Sequence, residues 1–323
     1  MRFSTRIVTY CTAALVAWTL ATPAGSQEPA QQAGQESIIK TQVNLVNIFA
    51  TVRDKKKHII TNLKQEDFHI FENEQEQKVA FFTSETTLPI TLGLLIDTSG
   101  SEQNRLPAEQ EAASKFLTQV MRKADEAMVI SFDLDVDLLS DFTEDHAQLS
   151  RAIRHAQVNA AGPVVTPGTL PSGPNGTHLY DAVWVACGEK LATEAGRKAL
   201  VIITDAEDFG SKVTLEEAIE AAERTNTVVH FLLVHDPGYG WRPDVAHKMA
   251  DQTGGRVIEV SSQKHLEEAF DQIAEELRQQ YTLGYYPTNS ARDGTFRKIK
   301  VETADKDMKV LARKGYYAPK GSG

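Results

Sequence analysis

The pattern of apolar and polar residues changes near residue 88. Before that point, residues 43–54 and 67–85 are short runs rich in β-branched and aromatic residues, with a polar turn near Asn73. Runs of this kind are typical of strands joined by turns. We therefore predict a small β unit over residues 40–87.

From residue 88 onward, continuous apolar runs alternate with segments of helical periodicity. Buried strands are predicted at 90–97, 127–133, 198–205, 227–236 and 256–260. The intervening segments, such as 108–123, place apolar residues three or four positions apart, as one face of a helix does. Strands alternating with helices predict an α/β domain with a doubly wound, mostly parallel sheet. We assign residues 88–281 to this domain.

The last part of the chain, residues 282–323, returns to β character. About 40 residues cannot bury a stable core alone, and the same holds for the β unit at 40–87. We therefore predict that these two segments pack together as one small β domain. The α/β domain would then be an insertion between them.

The N-terminus has the features of a secretory signal peptide at residues 1–26. Arg2 and Arg6 precede an apolar stretch of about 15 residues, which ends in small residues. This stretch is too short and too polar for a good membrane span. Residues 27–39 are rich in Gln, Ala and Gly and indicate a linker. We expect a periplasmic or secreted protein without membrane insertion after cleavage, with an uncleaved anchor as the alternative.

The composition narrows the classes of partner. The net charge is −10, and loss of residues 1–26 would remove two arginines and make it −12. An acidic surface disfavours nucleic acid and anionic lipid, and it is compatible with bound cations. Because Cys11 lies in the signal peptide, Cys187 would be alone in the mature chain, so no intramolecular disulfide is expected.

Small oxygen-bearing residues gather where the predicted strands end. Asp97 and Asp205 each end an apolar run, and the carboxyl ends of parallel strands lie at one edge of a sheet, where ligands bind. The turn after Asp97 adds Ser99 and Ser101, and Thr177 stands at the start of a predicted helix. Two carboxylates and three hydroxyls are hard donors, which suit Mg²⁺, Mn²⁺ or Ca²⁺ better than zinc.

This donor set predicts a metal ion that can still bind a partner. Hydroxyl groups are neutral, so the two carboxylates only balance the charge of a divalent cation. The ion would stay electrophilic and accept one more anionic oxygen in an open position. We therefore expect a protein partner that offers an Asp or Glu carboxylate. Mg²⁺ is the expected ion, with Ca²⁺ and Mn²⁺ as alternatives.

The string DTSGS at residues 97–101 matches the DxSxS motif of von Willebrand factor type A domains. The segments GTHLYDAV and RKALVIITDAEDFGS resemble the same family, and the resemblance covers residues 88–281. One departure is Ala206, where many members have glycine. The flanks, with DFHIFE before the domain and QYTLGYYP and RKGYYAP after it, resemble a bacterial subgroup of exported type A-related proteins.

The resemblance implies a metal-ion-dependent adhesion site (MIDAS). Ser99, Ser101 and Thr177 would bind the ion directly, and Asp97 and Asp205 would bind it directly or through water. The implied function is metal-dependent protein binding rather than catalysis, so we expect a protein that is not an enzyme. The loops at 160–176 and 236–243 are expected to set the specificity for the partner.

Two other functions stay open. One is a metal-dependent hydrolase or phosphatase with Asp97 as nucleophile. Such haloacid-dehalogenase-like chemistry needs a second Asp two residues later, where this chain has Ser99, and the chain has no P-loop, GxSxG or dinucleotide motif. The other is a type A domain whose metal site is purely structural.

Overall fold

The computed structural model describes residues 45–84, 88–158, 176–234 and 240–321. The predicted signal peptide, the linker and most of the two predicted specificity loops lie outside these residues. The strands are β1 (Val46–Arg53), β2 (Phe68–Glu72), β3 (Gln75–Gln77), β4 (Val79–Thr83), β5 (Ile90–Asp97), β6 (Glu126–Phe132), β7 (Val136–Thr143), β8 (Arg197–Thr204), β9 (Thr227–Val234), β10 (Val257–Val260), β11 (Tyr281–Tyr285), β12 (Phe296–Thr303), β13 (Lys309–Leu311) and β14 (Gly315–Tyr317). The α-helices are α1 (Leu106–Val120), α2 (His146–His155), α3 (Leu179–Val185), α4 (Leu215–Thr225), α5 (Pro243–Thr253) and α6 (Gln263–Arg278).

A six-stranded sheet forms the centre of the α/β part, in the order β10-β9-β8-β5-β6-β7. All neighbours are parallel except β7, which pairs antiparallel with β6 at one edge. Every residue of β5 and β9 is buried, as expected for strands covered on both faces. The predicted doubly wound, mostly parallel sheet is confirmed.

Helices cover both faces of this sheet. One hydrophobic core joins the sheet to α1, α2 and α6, with the rings of Phe116 and Phe270 stacked at 4.7 Å. A second core joins the other face to α3, α4 and α5 and includes the buried thiol of Cys187. Helix α4 begins with a capping box between Thr214 and Glu217. Across the described ranges, no helix has the length and apolarity needed to span a bilayer.

Some element boundaries differ from the sequence expectations. Strand β8 ends at Thr204, so Asp205 is the first residue after the strand rather than its last. The helix predicted to start at Thr177 begins at Leu179 and continues after α3 as a π-helical turn, Ala186–Lys190. Helix α5 was not predicted, because its apolar stripe is short and follows a segment rich in glycine and proline.

The flanking β domain combines strands from both ends of the described chain. One sheet has the order β13-β1-β11-β4, and the other has the order β14-β12-β2-β3. Each sheet therefore joins strands that precede residue 88 to strands that follow residue 280. Their inner faces share a third core, in which Ile48 and Ile70 pack with Leu283 and Ile299. The predicted small β domain, formed from the N- and C-terminal segments, is confirmed.

Buried polar contacts join the β domain to the α/β part. Arg53 on β1 donates a hydrogen bond to Glu276 on α6, and Arg256 donates to the same carboxylate at 2.7 Å. Arg197 on β8 donates to the Gln280 side chain at 2.6 Å, just before β11 begins. Because Glu276 is buried, its charge depends on these two arginines for compensation.

Candidate metal-binding site

Four of the five predicted ligands meet at the carboxyl edge of the central sheet. Asp97 ends β5, and Asp205 directly follows β8, the neighbouring strand. The Ser99 and Ser101 hydroxyl oxygens lie 3.0 Å apart in the turn after β5. The Ser101 hydroxyl donates to Asp205 Oδ2 at 2.9 Å. The structure thus links the two strand ends through a short series of hydroxyl contacts.

Asp97 is fully buried and holds this turn in place. Its Oδ1 accepts a hydrogen bond from the Ser99 backbone N–H at 2.9 Å. Its Oδ2 accepts one from the Thr204 hydroxyl at 2.6 Å. Both oxygens of Asp97 are therefore engaged, one by its own turn and the other by the adjacent strand. The sequence reasoning did not identify Thr204 as part of the site.

Thr177 reaches the same edge by a different route. Its backbone forms a two-way bridge with Phe209 in the loop after β8, with N···O distances of 3.0 and 2.9 Å. The next residue, His178, donates its N–H to the Asp133 carbonyl at 2.8 Å, and the Asp133 carboxylate accepts from the Thr98 hydroxyl. Within the described ranges, the Thr177 hydroxyl makes no hydrogen bond to the other four residues. The assignment of all five as ligands stays a prediction.

Carboxyl groups are concentrated at this edge. Burial raises the pKa of Asp97 to about 7, and the nearby Asp205 carboxylate adds to this shift. Burial also raises the pKa of Asp205 above its ordinary value. Removal from water raises the pKa of both carboxyls, and for Asp97 the like charge of Asp205 acts in the same direction.

Two further acids, Glu102 and Glu109, lie buried close to this pair, and each is 1% exposed. Burial raises the pKa of both carboxyls, and the charges of Asp97 and Asp205 add to the shift. Glu102 Oε2 and both carboxyl oxygens of Glu109 have no hydrogen-bond partner among the described residues. The sequence does carry a signal for Glu109, because it interrupts the apolar stripe of α1 between Leu106 and Ala113.

These observations fit a divalent cation. Buried carboxyl oxygens without donors are costly unless a positive charge offsets them. The hydroxyls and carboxylates beside them are the hard donors that Mg²⁺, Mn²⁺ and Ca²⁺ prefer. The residues present at this edge therefore offer the type of donor that the predicted metal prefers.

An exposed aromatic residue borders the site. Phe209 is 66% exposed, although its backbone is fixed by the bridge to Thr177. Nearby, a cavity of about 310 Å³ is lined by His178 and by apolar side chains that include Val136 and Trp184. Nothing in the local sequence distinguishes Phe209 from a core residue, so the sequence reasoning missed it.

The strand-end carboxylates, the hydroxyl turn and the parallel sheet agree with a match to a family model. Residues 92–207 match the model described as von Willebrand factor type A domain. The chain contains a von Willebrand factor type A domain. The matched range of this type A domain includes all five predicted ligands. It also includes Ala206, whose φ of +62° explains a preference for glycine at that position.

Solved structures with a similar fold include other type A domains. A von Willebrand factor type A protein from Catenulispora acidiphila is 11% identical, with a TM-score of 0.50, over 88% of this chain and 76% of that chain. The vWF domain of the type V pili tip protein Mfa5 from Porphyromonas gingivalis is 15% identical, with a TM-score of 0.46, over 59% and 96%. Proximal thread matrix protein 1 from the mussel byssus, in a structure with a zinc-occupied MIDAS motif, is 14% identical, with a TM-score of 0.49, over 62% and 48%.

These similarities concern the fold, because the sequence identities are low. The Catenulispora protein extends the likeness beyond the family match to most of this chain. A search of curated proteins found no match.

Proposed function

We propose that this protein is an exported, metal-dependent protein-binding module. Its type A domain would hold one divalent cation, with Mg²⁺ as the expected ion. The residues that would hold it are Asp97, Ser99, Ser101, Thr177 and Asp205. When bound, the ion would supply an electrophilic position for an Asp or Glu carboxylate of the partner protein.

The observation that carries this proposal is the series of contacts from Ser99 through Ser101 to Asp205. It places two hydroxyls and a carboxylate together at a sheet edge where four acids are buried and three carboxyl oxygens, of Glu102 and Glu109, have no hydrogen-bond partner among the described residues. A structural turn needs no such excess of buried acid. A cation at this edge accounts for both the hydroxyls and the acids.

The environment of Asp97 supports binding rather than hydrolysis. A carboxylate that attacks a phosphate ester needs a free oxygen that can reach the substrate. Asp97 is fully buried, and its two oxygens accept hydrogen bonds from Ser99 and Thr204. The second Asp of the phosphatase motif is also replaced by Ser99. We therefore propose that the protein is not an enzyme.

The position of Phe209 indicates which part of the partner would lie next to the carboxylate that binds the metal. Aromatic side chains, phenylalanine included, are enriched in protein interfaces. Its bridge to Thr177 places it beside the predicted metal ligands. We propose that Phe209 contacts an apolar part of the partner, and that the loops at 160–176 and 236–243 add further specificity.

Export is proposed from the sequence of residues 1–26, which has the charged, apolar and small-residue regions of a signal peptide. After cleavage the module would act in the periplasm or outside the cell. The acidic net charge favours cations and disfavours nucleic acid and anionic lipid as ligands.

The experiment that tests this function is affinity capture from the envelope fraction of the source organism. Wild type, Asp97→Ala and Asp137→Ala baits are compared with Mg²⁺ and with EDTA. Asp137 is an exposed acid on the edge strand β7, so it controls for the loss of a surface charge. We expect a partner that wild type and Asp137→Ala retain only with Mg²⁺, and that Asp97→Ala does not retain. A partner retained equally by all baits and in EDTA would contradict the proposal.

A further inference from the structure

A large groove lies in the β domain, away from the predicted metal ligands. Its volume is about 830 Å³, within the range of about 300–1,000 Å³ that is common for ligand sites. Strand β12 forms one wall, and the C-terminal end of α5 contributes Gln252. Helix α5 begins beside the metal edge, where the Arg242 N–H donates to the Asp205 carbonyl at 2.9 Å. Its 11 residues rise by about 1.5 Å each, which places the groove about 15 Å from that edge.

The walls of the groove are rigid. Strand β12 pairs on one side with β14 and on the other with β2. The β2–β3 turn is fixed to β12 by reciprocal hydrogen bonds between Asn73 and the Lys298 backbone, at 2.9 and 3.0 Å. Lys314 donates its N–H to the Gln252 carbonyl at 2.9 Å, which ties the β domain to α5. A ligand would therefore meet a preformed surface.

Lysines and aromatic residues line the groove. Along β12, Phe296, Lys298 and Lys300 occupy alternate positions and thus share one face of the strand. Phe71 lies directly across from Lys300 on β2. Phe296 and Phe71 are half-buried, so part of each ring remains accessible.

The charge of the groove is opposite to that of the whole protein. Three lysines line it against a single acid, Glu74, whereas the chain has a net charge of −10. Lys300 pairs with Glu302 at 2.6 Å. Among the described residues, the side-chain ammonium groups of Lys298 and Lys314 have no ion-pair or hydrogen-bond partner, and both side chains are exposed. Two uncompensated cations beside accessible rings favour an anionic ligand with apolar groups.

From this complementarity we propose that the groove binds an extended acidic segment of another protein, with an aromatic or aliphatic side chain among its acids. Alternate residues of a strand lie about 7 Å apart, so Lys298 and Lys300 match carboxylates on alternate residues of an extended peptide. Phe71 and Phe296 would pack against its apolar side chain. This site needs no metal and is independent of the function proposed for the sheet edge.

Fluorescence polarisation with the full mature chain tests this proposal. The probe is a short fluorescein-labelled peptide in which glutamates alternate with phenylalanine and valine, and its counterpart carries lysines in place of glutamates. We expect the acidic peptide to bind, to bind more weakly as salt is raised, and to be indifferent to EDTA. The lysine peptide should not bind.

Charge-reversal variants locate the binding. Lys298→Glu/Lys314→Glu should weaken binding by about tenfold or more, because two attractive charges become repulsive. Lys123→Glu/Lys309→Glu changes the net charge equally at exposed positions outside the groove and should bind as wild type does. Phe296→Ser should also weaken binding. Thermal denaturation checks that each variant folds.

The other outcomes would overturn the proposal. One is no binding of the acidic peptide. Another is equal weakening by both charge-reversal pairs, which would indicate a diffuse charge effect. Binding that requires Mg²⁺ and is lost in Asp97→Ala would assign the peptide to the metal edge instead.

Discussion

The Ser101 hydroxyl donates a hydrogen bond to the Asp205 carboxylate at 2.9 Å, across 104 residues of sequence. If both residues serve a metal ion, Ser101→Ala should remove a ligand while leaving the fold intact. We expect a loss of about 1–2 kcal/mol in the free energy of unfolding without metal, the usual cost of one such hydrogen bond. The rise in melting temperature that Mg²⁺ causes in wild type should disappear.

Thermal denaturation with Mg²⁺ and with EDTA measures both effects. Ser114→Ala is the matched control, because it removes a hydroxyl from α1 far along the helix from the predicted ligands. Its response to Mg²⁺ should equal that of wild type. A Ser101→Ala variant that Mg²⁺ still stabilises fully would argue against Ser101 as a ligand.

Phe209 should matter for binding and not for folding. Because its side chain is 66% exposed, Phe209→Ser should change the free energy of unfolding by no more than about 0.5 kcal/mol. Metal binding should be unchanged, and affinity for the partner captured with Mg²⁺ should fall. Phe81→Ser, at an exposed position in the β domain, is the control. Equal partner affinity of wild type and Phe209→Ser would contradict the proposed contact.

The contact between Arg53 and Glu276 should stabilise the junction between the β domain and the type A domain. Removing one member of a buried ion pair costs about 3–5 kcal/mol, because the other charge stays buried without a partner. We expect a loss of this order for Glu276→Gln, which leaves both arginines without the carboxylate, and a smaller loss of about 1–3 kcal/mol for Arg53→Met, because Arg256 still pairs with Glu276.

Urea denaturation measures this loss. Glu275→Gln is the matched control, since Glu275 precedes Glu276 on α6 but is exposed. A loss below about 1 kcal/mol for both Arg53→Met and Glu276→Gln would show that the junction does not depend on this pair.

The buried His230 should make the free energy of unfolding depend on pH. Burial lowers its pKa in the folded protein to about 4, although Glu276 at 3.9 Å opposes this shift and Arg256 and Arg53 add to it. The unfolded chain takes up a proton near pH 6.5, and the folded chain does so only near pH 4. The free energy of unfolding therefore falls as the pH drops below about 6.5, with His230 contributing about 2 kcal/mol between pH 7 and pH 5.

Urea denaturation at pH 7 and at pH 5 tests this linkage in wild type and in His230→Asn. The variant should lose about 2 kcal/mol less than wild type over this interval. His247→Asn, at an exposed position on α5, is the matched control for the replacement of a histidine side chain. Identical pH dependence of wild type and His230→Asn would contradict the assignment.

The sequence predicted those features that follow from periodicity and chain length. Apolar runs that end in Asp97 and Asp205 placed both carboxylates at one edge, because parallel strands share their carboxyl ends. The β domain followed from two segments that are each too short to bury a core. Neither periodicity nor chain length predicts which residues of β1 pair with which residues of β11.

The features that the sequence did not predict depend on tertiary contacts. Thr204 is a strand residue whose hydroxyl gains its role only when β8 lies beside β5. Phe209 is recognisable as exposed only once its loop is paired with Thr177. Glu102 has no periodic signal, because it belongs to a short 3₁₀ turn rather than to a helix with a clear stripe.

The most direct test of the central claim is isothermal titration of Mg²⁺ into the mature protein at neutral pH. We expect one Mg²⁺ bound per chain in wild type and none in Ser99→Ala or Asp205→Asn, with all three proteins showing cooperative unfolding. If wild type bound none of Mg²⁺, Mn²⁺ and Ca²⁺, or if both variants bound Mg²⁺ as tightly as wild type, the proposed metal site would be wrong.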